Sequence, residues 1–242
     1  MHNYLKGEIY RLLHKKSTYL YFAALALGYV LLAYIRSGGF TAESVVSDAL
    51  TFFNLMPALA GGFLFAAIYL DDLNSKNLAM LVGYGLSKTT IVIAKFLLMF
   101  TLSALAFALL PLFHGAVYAV MGWAPTAGNW VALYAISLKY FLMTVAFALV
   151  SGILVYGLQR STFSAVLYLL LAFNIVSGLS SMVLRTFAPG LSNYLMPAIS
   201  DRVMTAVIQS SSVVLPLVEY TVYIAIAGVL SALAFQKKEM EF

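Results

Sequence analysis

Residues 89–121 read TTIVIAKFLLMFTLSALAFALLPLFHGAVYAVM, and this run decides the fold. A helix needs about 20 mostly apolar residues to cross roughly 30 Å of hydrocarbon. Thr89–Met121 exceeds that need, so tilt, a kink or an interfacial extension is expected, and Pro111 supplies a place for a kink. The ~10-residue alternating strands of a membrane barrel do not give an unbroken apolar run of this length.

Further runs of the same kind lie to either side. Thr18–Ile35 and Leu50–Leu70 precede it; Trp130–Gly157, Phe163–Leu184 and Leu215–Phe235 follow. The chain is 63% hydrophobic and 10% charged, with a mean hydropathy of +0.95. This composition belongs to the membrane class. The reading is an all-α membrane protein of six transmembrane helices, forming one transmembrane domain over residues 1–242. No internal repeat or low-complexity tract is visible. Pro57, Pro111 and the small cluster Ala60-Gly61-Gly62 predict kinking and close helix contact.

The polar stretch from Asp71 to Lys88 stands out between the second and third runs. A simple connection needs only a handful of residues. Within it Leu78, Leu81 and Val82 have the i, i+3, i+4 spacing of one helical face. Gly83 and Gly85 end that face before Ser87 and Lys88 lead into the third run. Residues 71–88 therefore read as a short amphipathic surface helix with charged flanks, built for contact.

Residues 3–17 form a second amphipathic segment. Leu5, Ile9, Leu12 and Leu13 share one side, while Glu8, Arg11 and Lys15 lie on another. Such a helix is expected in the membrane interface, its basic residues beside anionic headgroups. Residues 185–214 are too polar to span and too apolar for a free loop, and fit a re-entrant or interfacial helix before span six. Residues 36–48 read as a loop containing Gly38 and Gly39. Trp123 and Trp130 flank another loop and read as interface anchors.

Orientation follows the lysines and arginines. Lys6, Arg11, Lys15, Lys16, Lys76, Lys88, Lys95, Arg160, Lys237 and Lys238 fall on one side; Arg36, Arg185 and Arg202 fall on the other. Ten against three places both termini in the cytoplasm. The net charge of +5 is then a topology signal that needs no nucleic-acid partner. The first run is read as a retained span because no small-x-small cleavage site precedes Arg36. With no cysteine, disulfides and thiolate chemistry are excluded.

Catalytic and metal motifs are weak. Gly83-Tyr84-Gly85-Leu86-Ser87-Lys88-Thr89 departs from a phosphate-binding loop, since Ser87 stands where glycine must precede the lysine. Asp71-Asp72 has no second acidic cluster on its side to complete a magnesium–diphosphate site. His2, His14 and His114 are scattered, and no zinc set forms. Three groups inside or near spans are candidates for a pathway: His114, Lys139 about 13 Å into span four, and Glu219 just after Pro216. Lys139 and Glu219 are expected to pair with each other or to snorkel separately.

The arrangement as a whole resembles the membrane subunit of an ABC-2-type ABC transporter. The residues that carry the likeness are Asp71 and Asp72 ending span two, Ser75-Lys76-Asn77-Leu78 opening a short helix, Gly85-Leu86-Ser87-Lys88, and Lys95 entering span three. Where that family usually has a glycine-threonine pair, this chain has Lys76-Asn77. The resemblance implies a permease in the cell membrane of a bacterium, of the small peptide-antibiotic or toxin export and self-protection kind. It further implies a separate ABC ATPase subunit dimer, which would hold the ATP and magnesium, and a second permease chain. The permease itself would be no enzyme and would bind no cofactor. Asp71, Asp72, Ser75, Lys76, Leu78, Leu81, Val82 and Lys88 would form the contact with the ATPase. Leu5, Ile9, Arg11, Leu12 and Lys15 would form the adjoining interfacial helix among membrane lipids. The alternatives are a membrane immunity or scaffold protein, a secondary transporter, and a magnesium-dependent prenyl or lipid transferase.

Overall fold

Inside hydrocarbon a backbone polar group has no water to bond, so an apolar chain satisfies its amides within helices. The computed structural model describes residues 2–35, 42–74 and 77–238, and these are overwhelmingly helical, with no strand among them. Arg36, Gly38, Gly39, Ser75 and Lys76 lie outside the described residues.

The first helix, α1, is His2–His14, and α2 is Lys16–Ile35. The helical run from Ala42 to Asn74 is α3, and 30 residues of it, Ser44–Leu73, are apolar enough to cross a membrane. Then come α4 (Asn77–Gly83), α5 (Lys88–Val120) and α6 (Ala127–Leu158). After them α7 (Ser161–Ala172) and α8 (Ile175–Phe187) meet at a 61° bend. A 3-10 turn at Pro189–Tyr194 leads into α9 (Met196–Ile208), and α10 (Val214–Lys237) ends the described chain. Five helices are long and apolar enough to cross a membrane, or six if α7 and α8 count as one broken span.

The centre of the bundle is α6, 72% buried over its most apolar stretch, with α3, α5, α7, α9 and α10 packed around it. By contrast α2 is 11% buried and stands off from α3 and α5 across an apolar cleft of about 560 Å³. At one end of the bundle, here the near end, lie α1 and α4. The 3-10 turn and α9 close the far end.

Local chemistry explains several boundaries. Ser87 caps α5 by accepting the Thr90 amide at 3.1 Å, and Thr126 opens α6 with a reciprocal capping box to Asn129. A left-handed Gly85 (φ 86°) closes α4, its amide bonding Val82 O at 2.9 Å, while the Leu86 amide bonds Leu81 O at 3.1 Å. This is a Schellman termination, so the expected stop at Gly83–Gly85 is met.

The second span is longer than the sequence reading allows. Its helix begins at Ala42 rather than Leu50, so Asp48 sits inside it, 8% exposed, accepting from Tyr118 Oη at 2.9 Å. A carboxylate that looks like a loop residue is tolerated because a buried tyrosine bonds it.

Within α3 two stretches, Pro57–Gly61 and Ala66–Leu70, wind as π-helix. Pro57 has no N–H to continue the ladder, and Gly61 N instead bonds Met56 O, five residues back, at 3.0 Å. Gly61 also meets α6 and α7 closely: a Cβ there would overlap the Tyr168 hydroxyl and the Thr144 methyl. The expected close contact at Ala60-Gly61-Gly62 is therefore present.

The fifth span is not the continuous Phe163–Leu184 helix expected; it breaks where Asn174 takes a left-handed conformation (φ 59°). The tryptophans also differ from expectation. Trp123 is 8% exposed, and Trp130 packs over Gly115, which leaves no room for a side chain.

Candidate functional site

Charges brought into an apolar bundle must find partners. At the near end three cations and three carboxylates do so. Lys95 and Asp72 form an ion pair with both side chains 1% exposed. The Lys95 ammonium also donates to Ile68 O at 2.7 Å and to Glu8 Oε2 at 3.3 Å. Arg11 Nη2 donates to the same Glu8 oxygen at 2.8 Å and to Ala67 O at 3.0 Å. Its other arm reaches Asp71 Oδ2 at 3.5 Å, and Lys15 Nζ bonds that oxygen at 2.7 Å.

Among the described residues the cluster is charge-neutral, and it joins α1, the end of α3 and the start of α5. Asn77, the first residue of α4, donates to Asp72 Oδ1 at 3.5 Å, so α4 is attached too. Both carbonyls that receive cations lie in the second π stretch of α3, where the ladder departs from α-geometry. Burial opposes the charge on Arg11, but its Glu8 bond and the three carboxylates outweigh that and raise its pKa. Burial, with Glu8 and Asp72 nearby, pushes the Tyr4 hydroxyl far above its ordinary range and keeps it neutral. The Lys95 ammonium lies 5.8 Å from the Tyr4 ring centre.

The segment expected to be an interfacial helix is α1, and it packs on the bundle. Leu12 is buried and Leu5 half-buried against the bundle, while Arg11, half-buried, and Lys15, exposed, both reach Asp71. Ile9 and Tyr10 take the exposed side; the side chain of Leu13 falls outside the description.

The apolar face of the expected contact helix is covered within this chain. Leu78 is 4% exposed, and Leu81 and Val82 are half-buried on the core, so the apolar face of α4 belongs to this chain. The residues α4 and its turn present outward are Met80, 52% exposed, and Tyr84, 83% exposed. Lys88 is also occupied: its ammonium bonds Lys238 O at 2.6 Å and Gln236 O at 3.4 Å, closing the C-terminal end of α10.

At the far end Lys139 and Glu219 do not pair with each other. Lys139 Nζ meets Asp201 Oδ1 at 2.6 Å, and Glu219 pairs with Arg202, which also bonds Asn193 O at 3.0 Å. The adjacent Asp201 and Arg202 on α9 thus hold α6 and α10 at once. His114 bridges α2, α3 and α5 deeper in the bundle. Its Nε2 faces Val45 O at 3.1 Å and so carries the proton, leaving Nδ1 to accept from Tyr29.

Sequence reasoning missed both carboxylates on Lys95, Asp72 and Glu8, and Asp201 and Arg202 as partners. The signal was the charges themselves: a lysine in an apolar run implies a counter-charge somewhere. Among the described residues no three His, Asp or Glu side chains stand together as a metal site. Comparison with known proteins returns nothing: no family model, no curated protein and no solved structure matches.

Proposed function

We propose that this chain is the membrane-spanning permease subunit of an ATP-driven ABC-2-type exporter. It moves amphipathic peptides or lipid-like compounds across a bacterial cell membrane. The observation that carries the reading is the attachment of the short surface helix α4 to the neutral charge cluster that binds α1, α3 and α5. An ordinary loop needs no such attachment. A lever does, because a push on α4 reaches three elements only if they are joined.

In this reading the near end faces the cytoplasm, as the excess of lysine and arginine there favours. A separate ATPase dimer holds ATP and magnesium and docks on the outward side of α4, around Met80 and Tyr84. Closure of that dimer pushes α4, and the cluster passes the displacement to α1, α3 and α5 as a rigid body. A second permease chain completes the pathway, beside the poorly buried apolar faces of α2 and α10.

Gentle purification of the tagged chain from its native membrane, with mass spectrometry of what accompanies it, tests the reading. A stoichiometric ATPase is expected. A chain that emerges alone, while other ATPase complexes survive, contradicts it. The second reading, a secondary transporter, is favoured by the broken span at Asn174 and by the charge pairs near it. Ion-gradient-driven transport by the chain alone would select it.

A further inference from the structure

The helix α8 carries much of its polarity along one line. Asn174, Ser177, Ser181 and Arg185, at i, i+3, i+7 and i+11, lie along a single stripe. Ile175, Leu179, Met182 and Val183 are exposed on the opposite side. Asn174, Ser177 and Ser181 are half-buried and Arg185 is exposed, and together they line one wall of an open cavity of about 360 Å³ against the bundle. Lys139, Asp201 and Asn54 line the same cavity. In a membrane bundle a polar helix face turned inward lines water or a polar ligand, because apolar packing would serve a purely structural contact better.

The charges select the ligand. Lys139 and Asp201 neutralise each other at 2.6 Å. Arg185 has no ion pair or side-chain hydrogen bond among the described residues, so the lining carries one net positive charge. The Asn54 side chain is likewise unbonded among the described residues, and the Asn174 amide nitrogen has no acceptor there, although its oxygen accepts from Ser177 at 3.3 Å. A guanidinium fork and two free amides make a donor set for an oxyanion. The volume lies at the low end of small-molecule sites, suited to a headgroup.

We propose that this far-end cavity binds a phosphate-class oxyanion, carried by an anionic lipid headgroup or free in solution, with Arg185 as its principal contact. The site holds its ligand whether or not an ATPase docks at the near end.

The test titrates the delipidated full chain in neutral detergent at fixed salt, reading the shift in Tm. The probes are dihexanoyl phosphatidylglycerol, dihexanoyl phosphatidylcholine and inorganic phosphate. Saturable stabilisation by phosphatidylglycerol alone supports a headgroup site, and by inorganic phosphate as well, a free-anion site. Arg185→Ala is expected to weaken the apparent Kd at least tenfold. Because Arg185 is exposed and unbonded, its loss leaves the ligand-free Tm unchanged. Asn174→Gly keeps the left-handed backbone, removes the amide, and is expected to weaken binding severalfold. Equal stabilisation by phosphatidylcholine, undiminished binding in Arg185→Ala, or no saturable shift with any probe overturns the proposal.

Discussion

Lys95 of α5 and Asp72 of α3 face each other with both side chains 1% exposed, and Glu8 of α1 completes the triad at 3.3 Å from the lysine. Desolvating such a pair is costly, so its worth lies less in net stability than in fixing which helices meet. Removing one partner leaves a buried uncompensated charge. Lys95→Met is expected to destabilise the folded chain by about 3–5 kcal/mol. Lys95→Met combined with Asp72→Leu is expected to recover most of that loss, as measured by unfolding in mild detergent. An equal loss in the double variant would show that the pair is not an isolated unit.

Gly61 is fixed by what stands opposite it. Tyr168 donates to Pro57 O at 2.7 Å across the glycine, so a methyl group at 61 forces α3 and α7 apart. Gly61→Ala is expected to cost about 1–3 kcal/mol. Adding Tyr168→Phe removes the clashing oxygen and is expected to return part of it, in the same unfolding assay. Full stability in Gly61→Ala alone would refute the close approach.

At the far end Arg202 ties α9 to Glu219 of α10 and to the 3-10 turn through Asn193 O. The guanidinium is partly exposed, so Arg202→Ala is expected to cost about 1 kcal/mol globally. Its local effect is larger: faster amide exchange across residues 189–208, with the near end unchanged. The charge swap Arg202→Glu with Glu219→Arg is expected to restore protection in residues 196–208 but not in the 3-10 turn, because a glutamate cannot donate to Asn193 O.

Lys88 closes α10 by bonding the carbonyls of Gln236 and Lys238. Lys88→Ala is expected to fray the last turn, worth about 0.3–1 kcal/mol. Amide exchange at residues 234–238 reads this directly. If Lys88 instead served only a partner, exchange there would not change in the isolated chain.

The long apolar helices were legible because twenty apolar residues have few alternatives to a helix. What was not legible depended on groups distant in sequence. The helical entry of Asp48 needed Tyr118, and the pairing of Arg11 and Lys15 needed Asp71 and Asp72, some 60 residues on. Lys139 and Glu219 stood out as intramembrane charges, but the sequence could not say that neighbouring Asp201 and Arg202 would each take one of them. The face of α4 was read correctly as apolar and wrongly as free, since periodicity reveals a stripe and not what covers it. Pro57 hinted at a kink, yet the Tyr168 hydroxyl that bonds its carbonyl lies far along the chain.

The central claim is that the outward side of α4, and not its apolar face, meets an ATPase. Placing a photo-crosslinking amino acid at Tyr84, and separately at Leu78, tests it in native membranes. Tyr84 is expected to yield an adduct with the ATPase subunit that diminishes when Met80→Glu is added, whereas Leu78 yields only crosslinks within the chain. No ATPase adduct from Tyr84, in membranes where the ATPase is present, would contradict the account.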